Sequence, residues 1–82
     1  MGKALDTWGT DQITILFEEM AELQKELCKF LRGNDTTQEI AEELADVKIC
    51  LAEMEMLFDV EDKVESNIND KLLRLRKRLE LL

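Results

Sequence analysis

Apolar residues along this chain recur at the three-and-four spacing of an α-helix in three successive stretches. In the first, Ile13, Leu16, Phe17, Met20, Leu23, Leu27, Phe30 and Leu31 line one face of a helix running from about Asp11 to Leu31. Trp8-Gly9-Thr10 reads as its entrance, with Thr10 or Asp11 accepting from the free amides of the first turn. Gly33-Asn34 reads as its stop, because both residues tolerate the left-handed conformation. The second stretch, Thr37 to Phe58, opens on Thr36 and Glu39 at the spacing of a capping box. Here Ile40, Leu44, Val47, Leu51, Met54 and Phe58 form one stripe, while Ala41, Ala45, Ile49, Ala52 and Met56 form another on nearly the opposite side. After a short turn at Asp59 to Asp62, a third helix carries Val64, Ile68, Leu72, Leu75, Leu79 and Leu82. The pattern predicts an all-α fold of three main helices. A helix apolar on two faces needs two partners, and three helices in a chain this short hardly supply both. The expectation is therefore a homo-oligomeric helical bundle, dimer or tetramer, with the second helix central.

Length and composition narrow this picture. Eighty-two residues make one domain, 1–82, with 1–9 as a lead-in segment. The chain has no proline and is 45% apolar and 37% charged, a globular, helix-rich balance rather than a disordered one. A net charge of -8 argues against a nucleic-acid partner, whose phosphates it would repel. No apolar run approaches the roughly 18 residues of a membrane span and no signal-peptide pattern is present, so no membrane partner and a cytoplasmic location are expected. Cys28 and Cys50 fit neither a CxxC motif nor a disulfide framework, and read as free, mostly buried thiols. Without a single histidine, a structural zinc site is disfavoured.

Candidate chemistry enters with the acidic residues. Glu18-Glu19-Met20-Ala21-Glu22 lies on the first helix and Glu43-Leu44-Ala45-Asp46 on the second. Residues three apart are neighbours on a helix surface, so Glu19 with Glu22, and Glu43 with Asp46, are paired like charges that weaken an isolated helix. Glu19, Glu22 and Glu26 flank the apolar stripe, whereas Glu18 turns toward solvent. Clustered oxygen ligands favour a hard cation, Mg²⁺ or Mn²⁺. The plainer reading is a pair of solvated helix faces. On the third helix Asn67, Lys71, Arg74 and Arg78 share one flank, where basic residues either complement the helix dipole or meet an anion. Trp8 either packs the helix start or stacks on a nucleobase.

The order Glu-Glu-x-x-Glu, a gap of twenty residues, then Glu-x-x-Asp resembles the motif of MazG-type nucleoside triphosphate pyrophosphohydrolases, members of the all-α pyrophosphatase superfamily. Trp8-Gly9-Thr10, Glu43-Leu44-Ala45-Asp46-Val47 and Lys71-Leu72-Leu73-Arg74-Leu75 add to the likeness with short phage and bacterial members, over about residues 8–79. The resemblance implies Mg²⁺-dependent hydrolysis of a nucleoside triphosphate to the monophosphate and pyrophosphate. It places the metal on Glu19, Glu22, Glu43 and Asp46, with Glu18 matching the first Glu of the motif. It sets Lys71 toward the triphosphate, where it would stabilise the departing charge. Asn67, one turn earlier on the same flank, Arg74 and Trp8 are further substrate-binding candidates by position. Glu22 is the candidate base. The chain departs from the longer MazG proteins in lacking their second domain, and from phosphoribosyl-ATP pyrophosphohydrolase in lacking a Ser-Tyr-Thr leader. The rival expectation is a non-catalytic oligomeric helical interaction module.

Overall fold

The computed structural model describes residues 6–81, folded as three helices: α1 (Thr7–Leu31), α2 (Thr37–Phe58) and α3 (Glu61–Glu80). Leu82 and the first five residues of the lead-in segment lie outside the described residues. The helices agree with the apolar periodicity, and α2 has the expected bounds. α1 starts one turn earlier than expected. Its cap is Asp6, whose carboxylate accepts from the Gly9 amide at 2.8 Å, so Trp8-Gly9-Thr10 forms the first turn rather than preceding it. The Thr10 hydroxyl, expected as a cap acceptor, donates instead to the Asp6 carbonyl at 3.2 Å.

α1 ends in a closed turn. The Asn34 amide donates to the Lys29 carbonyl at 3.1 Å and the Gly33 amide to the Phe30 carbonyl at 3.0 Å, with Gly33 left-handed at φ 95°. This pair of back-reaching bonds satisfies carbonyls that the helix leaves free. α2 ends in the same way: the Val60 amide reaches the Glu55 carbonyl at 3.0 Å, the Asp59 amide reaches that of Met56 at 3.2 Å, and Asp59 is left-handed at φ 55°. The turn before α3 is therefore shorter than the expected Asp59–Asp62, and Glu61 and Asp62 already lie in the helix, where acidic side chains suit its N-terminal dipole.

The short connection after α1 returns α2 antiparallel along it, and the two pack together as a hairpin. The capping box expected of Thr36 and Glu39 does not form. The buried Thr36 hydroxyl donates across the hairpin to the Glu26 carbonyl at 3.0 Å, tying the start of α2 to the last turns of α1. Asp35 takes over the local role, accepting from the Thr37 hydroxyl at 2.6 Å and the Thr37 amide at 3.4 Å. Those bonds, the hydroxyl's first, hold the Asp35 carboxyl below its ordinary range.

The seam of the hairpin is thin. Leu16, Leu23, Ile40 and Val47 are half-buried, and Cys50 is the one buried apolar side chain among the described residues. Cys28, expected to be mostly buried, is exposed. Part of each stripe stays in solvent: Phe17 on α1 is 63% exposed, and Ile49 and Met56, from the second stripe of α2, are 59% and 70% exposed. α3 meets α2 only sparingly, and among the described residues it does not touch α1. The molecule is consequently a flat plate, 44 × 41 × 16 Å, in which a hairpin carries a projecting arm.

The two left-handed turn positions make opposite predictions. A Cβ added at Gly33 meets nothing within 4 Å, so Gly33→Ala carries only the backbone penalty and should destabilise by about 1 kcal/mol. Asp59→Gly should stabilise, by less than about 1 kcal/mol, because the gain in the turn is offset by a more flexible unfolded chain. Urea unfolding followed by circular dichroism measures both; equal signs for the two variants would contradict the assignment.

Candidate metal centre

The antiparallel register of the hairpin fixes which acidic residues meet. Glu19 projects from the middle of α1, and Glu43 and Asp46, one turn apart on α2, project toward it. One carboxylate oxygen from each of the three lies within 4.8 Å of the others. Glu19 and Glu43 are half-buried and Asp46 is exposed, so the cluster opens to solvent along one border of the seam. Partial desolvation there raises the Glu19 carboxyl above its ordinary range. The charge of Asp46 and a hydrogen bond with it push the same way, with smaller contributions from Glu22 and Glu18. Glu43 is likewise raised, first by desolvation and then by the charges of Asp46, Glu19, Glu22 and Glu26.

Glu22 stands beside this triad rather than in it. Its side chain is exposed, but its charge acts on both Glu19 and Glu43. Glu18 is exposed and is the weakest of the named influences on Glu19, in keeping with its expected direction. Glu26, set on the same flank by its spacing but given no role from sequence, is only 8% exposed. Its Oε2 lies 3.4 Å from Lys29 Nζ, while its Oε1 has no hydrogen-bond partner. The Glu43 Oε2 is also buried and without a partner.

These observations bear on whether a cation fits. The donor set is all oxygen, as hard divalent ions require. Three carboxylates converge across two helices with no Lys or Arg ion-paired to any of them among the described residues. A buried carboxylate oxygen normally has a partner, and Glu43 Oε2 lacks one among the described residues. Glu19, Glu43 and Asp46 thus form an all-oxygen cluster that could hold a metal ion.

The other candidate residues lie elsewhere. Asn67, Lys71 and Arg74 are exposed on α3, the arm that does not touch α1. The Asn67 amide is engaged within its own helix, donating to the Lys63 carbonyl at 2.8 Å. Trp8 borders a small apolar depression with Glu53, Met56 and Leu57 at the far end of the hairpin. Between that end and the triad sits Cys50, whose thiol burial pushes upward, helped by the charges of Glu53, Glu19 and Asp46. It stays protonated near neutral pH and is a poor metal ligand in that state. Compared with family models, curated proteins and solved structures, the chain matches none.

The raised carboxyls set a pH dependence. Glu19 and Glu43 bind protons more readily in the folded chain than at the ordinary carboxylate value of 4.5. The folded state therefore holds more protons than the unfolded one between those two limits, and stability falls as pH rises through the folded values. In chelator, these two groups should add thermal stability as pH is lowered from neutral towards the ordinary carboxylate value. Glu43→Gln should be more stable than the wild type at neutral pH and show a flatter profile. A Glu43→Gln profile that parallels the wild type would contradict the clustering.

Proposed function

We propose that the chain is a Mg²⁺-dependent nucleoside triphosphate pyrophosphohydrolase of MazG type, converting a ribo- or deoxyribonucleoside triphosphate to the monophosphate and pyrophosphate. The observation that carries the reading is the convergence of Glu19, Glu43 and Asp46 within 4.8 Å across two helices, at the positions the motif assigns to metal. Four carboxylates on one seam repel one another and repel a triphosphate alike, so the arrangement is unfavourable for either task without a cation. A bound Mg²⁺ supplies a positive centre for phosphate oxygens and acidifies coordinated water.

The chain's own residues supply the rest. Glu19, Glu43 and Asp46 would hold the ion at the solvent border of the seam. Glu22, exposed beside the triad, would accept a proton from an attacking water in this reading. Partial desolvation of Glu19 and Glu43 strengthens their attraction to a cation. The Thr36–Glu26 bond stiffens the hairpin close to the site, which keeps the two halves of the constellation in register. Within one chain the basic flank of α3 does not reach the triad, so the reading rests on the carboxylates.

A second reading, a helical interaction module without catalysis, is favoured by the breadth of exposed apolar surface on all three helices. The assay that separates the two is release of pyrophosphate from a panel of nucleoside triphosphates, with and without Mg²⁺. The catalytic reading expects release only with the metal, and a loss of at least roughly 100-fold in Glu43→Gln with unchanged helical circular dichroism. Millimolar Mg²⁺ should also raise the melting temperature of the wild type but not of that variant. No release from any nucleotide, or full activity in Glu43→Gln, would sink it.

A further inference from the structure

In the catalytic reading the triad accounts for one end of the substrate only, its phosphates. The seam continues beyond it toward the open end of the hairpin. Glu53 follows Asp46 on α2 by two helical turns, so it lies on the same flank about 10 Å further along. Trp8 precedes Glu19 on α1 by close to three turns, which sets it on the same side as Glu19 about 16 Å away. The antiparallel register brings those two positions together. Trp8, Glu53, Met56 and Leu57 line a depression of about 180 Å³ whose surface is apolar apart from Glu53. Cys50 lies between depression and triad, and its thiol feels the charge of Glu53 as well as those of Glu19 and Asp46. One line along the seam thus carries a cluster of metal-type ligands, a small uncharged side chain, and an apolar shelf with a single carboxylate.

We propose that this depression is a nucleobase subsite and that Glu53 makes it selective for guanine; the inference rests on the triphosphate reading of the triad. The indole of Trp8, 59% exposed at the rim, offers a flat face on which a base can stack, with Met56 and Leu57 supplying apolar contact. Glu53 is half-buried and has no ion pair among the described residues. A carboxylate only accepts hydrogen bonds, and its two oxygens take two parallel N–H groups best. Guanine presents such a pair, its ring N1–H beside its 2-amino group. Adenine and cytosine set their amino group beside a ring nitrogen that is itself an acceptor, so one bond forms and the second oxygen faces a lone pair. Uracil and thymine flank their one ring N–H with two carbonyls. In a partly desolvated pocket each mismatched polar group counts against the wrong base. The separation of about 10 to 16 Å along the helices is the span from the phosphates of an extended nucleotide to its base, with the sugar crossing above Cys50.

Trp8 is the only tryptophan of the chain, so its fluorescence reports on the subsite independently of turnover. With Mg²⁺ present, GTP and dGTP should quench it at concentrations at least about tenfold lower than ATP, CTP or UTP, with ITP, which lacks the 2-amino group, in between. Glu53→Gln replaces one acceptor oxygen by a donor, and should cut the preference for GTP over ATP at least about tenfold with helical circular dichroism unchanged. In the pyrophosphate assay kcat/KM should follow the same order, Trp8→Phe should keep that order, and Trp8→Ala should weaken every nucleotide. Guanine-selective quenching that depends on Glu53, without pyrophosphate release, would support the subsite and remove the hydrolysis. Pyrophosphate released from all nucleotides alike, or a guanine preference that survives Glu53→Gln, would overturn the subsite and leave the hydrolysis standing. Absence of quenching by any nucleotide would overturn the subsite as well.

Discussion

Repulsion among carboxylates across the α1–α2 seam is the constraint on which the rest of this small structure depends. Glu19, Glu43 and Asp46 face one another where a hairpin of this kind would ordinarily place apolar or oppositely charged pairs. The seam offers little to offset that repulsion, since among the described residues its apolar side chains are at most half-buried, apart from the buried Cys50. What holds the two helices in register is local and polar: the closed turn at Gly33 and the Thr36 hydroxyl on the Glu26 carbonyl. Stability given up at a cluster of like charges is the usual signature of a site kept for binding, because a positive ligand turns each unfavourable pair into a favourable one.

The same economy explains the shape. A chain of 82 residues can enclose only a small core, and here two of its three helices use what there is. α3 contributes almost nothing to the hairpin, yet its apolar stripe is as regular as that of α1. That regularity, on a helix that only α2 touches among the described residues, leaves an apolar face open to solvent. The exposed ion pair between Arg76 and Glu80 adds little to the arm's own stability, as expected of two solvated groups one turn apart.

Much of this was legible before any coordinates. Periodicity located all three helices, and the stop at Gly33 was legible because a left-handed turn residue leaves a strong local mark; the left-handed Asp59 after Phe58 was not foreseen. The i, i+3 carboxylate pairs predicted two acidic faces, and a short connection implied that they would oppose each other. Where reading failed, a contact distant in sequence or a competing local bond had intervened. Thr36 looks like half of a capping box, but its hydroxyl finds a carbonyl ten residues back. α1 begins at Thr7 because Asp6 caps it, although Trp8 and Gly9 are indifferent helix formers. Glu26 was placed on the flank of the stripe, but its burial was not legible, because that depends on how closely α2 returns. The separation of α3 from the triad was likewise hidden: a stripe says that a face will be covered and is silent on which surface covers it.

Cys50 carries one more consequence. Its thiol is enclosed by the seam and held in the protonated form, while Cys28 lies open on the outer side of α1. Alkylation of Cys28 therefore proceeds at the pace of an ordinary exposed thiol, and alkylation of Cys50 waits for α1 and α2 to part. The chain thus contains its own clock for the breathing of the hairpin, with an internal reference one helix away, and whatever ion or neighbour clasps the two helices together will slow the one reaction and leave the other untouched.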